Sequence, residues 1–113
     1  MGKRDDLIEK YAEQLRTECE VEPDMELLLR VTIGCGPSIY NADSAYVAAT
    51  DGDELRRIEA NFLQGKLGLP PGDSLMGGIQ KALTAYGRSN RHKYRPVVYY
   101  LLVKHFGKES VYS

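Results

Sequence analysis

The sequence has no tryptophan, only two phenylalanines and only two cysteines among its 113 residues. Two cysteines are too few to staple a disulfide-dense secreted scaffold. Long apolar runs are also missing. The longest, Val97 to Val103, makes one or two helical turns, where a bilayer needs roughly 20 residues. The opening MGKRDDLIEKYAEQL carries basic residues but no apolar segment of the secretory type. Gly2 is not followed by the Ser or Thr that myristoylation requires at position six; Asp6 stands there. These absences predict a cytoplasmic protein with free thiols and no membrane association. No phosphate-binding loop, dinucleotide fingerprint, catalytic triad order or paired-carboxylate pattern occurs, and Gly34-Cys35-Gly36 is too short to be one.

What is present suits a small folded domain. Hydrophobic residues make up 42% and charged residues 27%, enough apolar mass for one core. The length predicts a single helical domain over 1–113. Charge is unevenly placed. Residues 1–59 carry 14 acids and 7 bases, net −7, while residues 60–113 carry 2 acids and 8 bases, net +6. Either the halves fold against each other and neutralise, or opposite faces associate between molecules.

Periodicity predicts helices throughout. Leu7, Ile8, Tyr11, Ala12 and Leu15 form one stripe of a first helix, opened by Asp5 and Asp6 and ended before Pro23. Asp24 is placed to cap a second, mostly buried helix through Met25, Leu28, Leu29, Val31 and Thr32, stopped by Gly34, Gly36 and Pro37. Asp43 is placed to cap a turn over Ser44 to Ala48. Asp51 and Glu54 have capping-box spacing ahead of Leu55, Ile58, Phe62 and Leu63. Asp73 is expected to cap a helix through Leu75, Met76, Ile79, Ala82, Leu83 and Tyr86, with Gly87 as its stop. Inside it, Gly77 and Gly78 imply local weakness or a neighbour packed very close. The last helix begins between Asn90 and Pro96, ends at Gly107 and is apolar on most sides, so it is expected at the centre. No strand alternation or repeat appears. The prediction is all-α, an irregular orthogonal bundle of about five helices around the C-terminal one.

Two surfaces stand out. Arg88, Ser89, Asn90, Arg91, Lys93 and Arg95 form a basic stretch before the last helix, where free N–H groups favour anions. It reads either as a solvated loop or as a phosphate, nucleotide or RNA contact. Nucleic acid is disfavoured by a pI near 6.1 and by the lack of an aromatic platform. Glu18, Glu20, Glu22 and Asp24, followed by Glu26, resemble half a calcium loop but lack its glycine and terminal glutamate. They read as a solvated stretch or a face for a basic partner. Tyr99 and Tyr100 are further interaction candidates, because tyrosine buries area while keeping a polar tip. Cys19, Cys35, His92 and His105 match no zinc spacing. Cys35 is read as a small buried residue in a tight corner, and His105 as a capping or half-buried structural side chain.

The stretches MGKRDDLIEKYAEQL, VTIGCGPSIYNAD and KYRPVVYYLLVKHFGKESVY resemble a family of small bacterial proteins known only as a domain of unknown function. The resemblance implies a bacterial, cytosolic, single-domain protein and supplies no activity, cofactor or catalytic residue. With no cofactor motif, the functional expectation is a non-enzymatic protein-interaction module. Its partner would be another protein or a second copy, met through acidic and basic faces. The alternative is an anion- or nucleic-acid-binding protein using Arg88 to Arg95.

Overall fold

In the computed structural model, residues 2–87 and 93–112 are described. They form α1 (Lys3–Thr17), α2 (Met25–Cys35), α3 (Gly52–Arg57), α4 (Asp73–Tyr86) and α5 (Arg95–Phe106). Short 3-10 turns follow α2 (Gly36–Tyr40) and α5 (Glu109–Tyr112). The architecture is all-α. Among the described residues no strand forms, and the only extended pairing is an antiparallel bridge between Tyr46 and Tyr94.

Each helix starts and stops for local reasons. Asp24 caps α2, its carboxylate accepting the Leu27 N–H at 3.2 Å. Asp51 caps α3 by accepting the Asp53 and Glu54 N–H groups. The reciprocal arm of that capping box is missing, because the Glu54 carboxylate turns to Arg95 and Arg57 instead. Asp73 is the first residue inside α4, and Gly72 holds the cap position. α5 ends on Gly107 in the left-handed conformation, φ 64°, where a side chain would be strained.

Three segments depart from the sequence expectation. Asn41, and not Asp43, organises the turn after α2: its carbonyl accepts the Ala45 N–H, and its side chain accepts the Asp43 N–H. The chain then extends through Tyr46 and does not coil to Ala48. Beyond Arg57 the helix continues as a π-helix over Ile58–Lys66. The wider π turn places Ile58, Phe62, Leu63 and Leu67 together in the core. On α2, Leu27 is buried while Met25 and Leu29 face outward.

The core is one apolar cluster with members from all five helices. α5 is central to it, packing on α2, α4 and α1. Gly78 explains part of the glycine pair in α4. A Cβ there would lie 2.3 Å from the Phe106 ring, so this glycine lets α5 approach. Among the described residues, a Cβ added at Gly77 would meet nothing within 4 Å. Among the described residues, no helix is long and apolar enough to cross a membrane.

Candidate interaction face

The basic stretch dissolves where it can be followed. Arg88, Ser89, Asn90 and Arg91, like His92, lie outside the described residues. Arg95 and its partner Glu54 are only 15% and 11% exposed at the side chain. The Arg95 guanidinium donates to the Ser44 carbonyl at 2.8 Å, the Tyr46 carbonyl at 3.3 Å, the Tyr99 hydroxyl at 3.0 Å and the Glu54 carboxylate. Its backbone N–H donates to the Ala45 carbonyl, and the Val47 N–H donates to the Lys93 carbonyl, closing the bridge at Tyr46 and Tyr94. Burial opposes the Arg95 charge, but Tyr99 and Glu54 outweigh it and hold its pKa above the ordinary value. Arg95 is therefore a fastener between α3, α5 and the 44–46 segment, with four of its five side-chain N–H donors used inside the fold. Lys93 is buried, and desolvation lowers its pKa.

The acidic stretch is also partly occupied. Glu22 pairs with Arg16 at 3.0 Å, and Asp24 caps α2. Glu18 follows α1 as its C-cap. Glu20 takes the left-handed conformation, φ 55°, where the chain leaves α1. Of the two tyrosines, Tyr100 is a correction. It is fully buried, and its hydroxyl accepts the Asp24 N–H at 2.8 Å, so it offers no surface to a partner. Tyr99 is half-buried and stacks on Phe62 with centroids 3.9 Å apart.

The remaining candidates carry little chemistry. Cys35 closes α2 and is half-buried; burial pushes its thiol up to about 12, against a small pull from Arg95. A neutral thiol is a poor nucleophile and a poor metal ligand. His105 is exposed, not half-buried, and meets Phe106 edge-on. Among the described residues, no three His, Cys, Asp or Glu side chains gather as a metal site. Surface depressions include one of about 300 Å³ beside Asp6, Leu7, Ile39 and Tyr40 and one of about 260 Å³ beside Thr50, Leu83 and Lys93. Another of about 190 Å³ lies between Phe62, Tyr99, Tyr112 and Lys66, and one of about 180 Å³ between Asp24, Arg30 and Glu109.

The outer side of α2 is different. Met25, Leu29 and Ile33 are 40%, 36% and 48% exposed, while Leu27, Leu28, Val31 and Thr32 are buried. The exposed three recur at i, i+4, i+8 and make one stripe about 12 Å long, turned away from the core. Beside it runs a charged edge, with Arg30 donating to Glu26 at 2.9 Å. The second nitrogen of Arg30 donates to the Tyr112 carbonyl at 2.9 Å, which brings the last 3-10 turn alongside. Val111 in that turn is exposed as well. The sequence reading missed this face by counting Met25 and Leu29 as core. The signal was present: α2 has apolar residues on more sides than its neighbours can cover.

A family model described as "Protein of unknown function (DUF2853)" matches residues 10–110 of the 113. No curated protein matches the chain.

Proposed function

The chain belongs to the DUF2853 family of proteins of unknown function, and from that premise, which brings no activity with it, we propose a non-enzymatic protein-interaction module that receives its partner on the outer face of α2. The observation behind this reading is the exposure of Met25, Leu29 and Ile33 in a single line. Scattered exposed apolar residues are ordinary, but an aligned stripe with a polar edge is the usual form of a docking surface. The anion-binding alternative is weaker. Of its six residues, Arg95 is committed to internal acceptors and Lys93 is buried. Association through opposite acidic and basic faces loses the same two residues.

A photo-reactive amino acid at position 29 tests the reading. In cells making the protein, illumination should yield a covalent adduct from position 29 and none from exposed position 81 on α4. No adduct from position 29 overturns it.

A further inference from the structure

We infer that the groove between α2 and the π-helix is a docking site for an aromatic residue on a peptide segment of another protein, and that the turn Glu109–Tyr112 is a strap that fills it in the partner's absence. This site is separate from the outer face of α2 and goes beyond the reading above.

The strap shows what the groove takes. The Tyr112 ring lies against Gly34 on one wall, 3.5 Å from where a Cβ would stand. On the other wall the Lys66 ammonium sits over the ring, 5.2 Å from its centroid. The Tyr112 carbonyl accepts from Arg30 at 2.9 Å. A bare helix face, a cation over a ring and a fork on a carbonyl together recognise one aromatic residue and its main chain. The next residue back, Val111, is exposed.

The ring does not fill the groove. Two depressions share Tyr112 as a wall: the one of about 190 Å³ reaches Asn61, Phe62 and Tyr99, and the one of about 180 Å³ reaches Asp24, Leu27 and Glu109. Well-packed interiors leave no such gaps. With the ring withdrawn, the two join as one trough along α2 from Asp24 to Gly34, about 15 Å long. An extended peptide of about four residues spans that length. Phe62 and Tyr99, stacked at 3.9 Å, stand at one end. The far wall, with Asn61, Phe62 and Lys66, is the π-helix, a rare geometry that recurs at functional sites.

The strap is built to leave. Gly34, Arg30 and Lys66, which grip Tyr112, are all exposed, so the grip is open to solvent. Glu109 is tied by an ion pair to Lys104 at 3.4 Å, both side chains exposed, and such pairs add little. The strap hangs from Gly107, φ 64°, directly after α5. Rotation at Gly107 and Lys108 swings it out and leaves the buried residues of α5 in place.

A synthetic peptide of residues 107–112, acetylated and amidated, tests this against the full chain. The readout is the amide chemical shifts of Gly34 and Lys66, with a thermal melt of each variant. Tyr112→Ala empties the seat, and the peptide should move both amides with half-saturation near about 1 mM. The peptide with alanine in place of its tyrosine should move neither. Adding Lys66→Gln or Arg30→Ala to Tyr112→Ala should weaken binding about threefold each. Wild type should bind about tenfold more weakly than Tyr112→Ala, because its tethered strap competes at an effective concentration of millimolar or more. No shift in Tyr112→Ala at about 10 mM peptide, well above the expected midpoint, overturns the inference. Equal affinity of wild type and Tyr112→Ala overturns it, as does equal affinity for the two peptides. A Tyr112→Ala chain that does not melt cooperatively overturns it too, since a strap must be able to leave a folded protein. If wild type dimerises in sedimentation and Tyr112→Ala does not, the occupant is the strap of a second copy, and the partner inferred here falls.

Discussion

The Tyr100 hydroxyl accepts the backbone N–H of Asp24 at 2.8 Å, tying the middle of α5 to the cap of α2. Tyr11 is as deeply buried, yet among the described residues its hydroxyl has no hydrogen-bond partner. The two hydroxyls should therefore respond oppositely to removal. Tyr100→Phe strands the Asp24 donor and should cost about 1 kcal/mol. Tyr11→Phe removes a buried polar atom that repays nothing, and should be neutral or stabilising by up to about 1 kcal/mol. Urea unfolding of the two variants measures the difference directly.

The Arg95 fastening predicts a larger loss. Glu54→Leu leaves a mostly buried guanidinium without its carboxylate and should destabilise by about 3 kcal/mol. Arg95→Lys keeps the charge but cannot serve four acceptors with one ammonium, and should cost about 2 kcal/mol. In a domain of this size either change lowers the melting temperature by roughly 10 °C. An unchanged melt for both would show that the pair holds nothing together.

Adjacent glycines in α4 should diverge. Gly77 has open space where a Cβ would go, so Gly77→Ala should stabilise by about 1 kcal/mol through helix propensity alone. At Gly78 the added methyl meets the Phe106 ring, and the forced shift should cost about 1–3 kcal/mol. Combining Gly78→Ala with Phe106→Leu should recover part of that loss. Denaturant midpoints for the two single variants and the double variant decide it.

Alkaline pH should weaken the fold. Burial raises the Cys19 thiol from 9.0 to about 11, the Cys35 thiol from 9.0 to about 12 and the Tyr112 hydroxyl from 10.0 to about 12. Tyr11, Tyr86 and Tyr99 are shifted the same way, first by burial. Each group ionises more easily when unfolded than when folded. Its contribution is complete below the unfolded value and is lost as pH climbs towards the folded one. Melting temperatures should hold up to about pH 9 and fall from there towards pH 11–12. Iodoacetamide should label both thiols slowly near pH 7.

Where punctuation and period agree, the fold was readable from the sequence. The Ile8–Tyr11–Leu15 stripe, the break before Pro23, the stop at Gly87 and the greasy faces of α5 are local signals, and each has its counterpart in the structure. The π segment was hidden because Ile58, Phe62 and Leu63 suit an α stripe over so short a span. Met25 and Leu29 were misplaced because composition does not say which side of an apolar helix finds a neighbour. Arg95 sits in a charge run that reads as solvated. Its acceptors at Ser44, Tyr46 and Glu54 are at least 41 residues away, beyond any local pattern.

The central place of α5 bears on how the chain is made. Bonds that pin the early helices wait for late residues: Gln14 for Tyr86, Asp24 for Tyr100 and Arg30 for Tyr112, separations of 72, 76 and 82. A growing chain emerges at about 5–20 residues per second, so the first helices spend several seconds without the rod they wrap. Their apolar stripes stay uncovered until α5 has been made and can pack on them. A chain cut short of Tyr100 lacks the hydroxyl that holds the Asp24 N–H and the second half of the helix around which the core forms, so it cannot close.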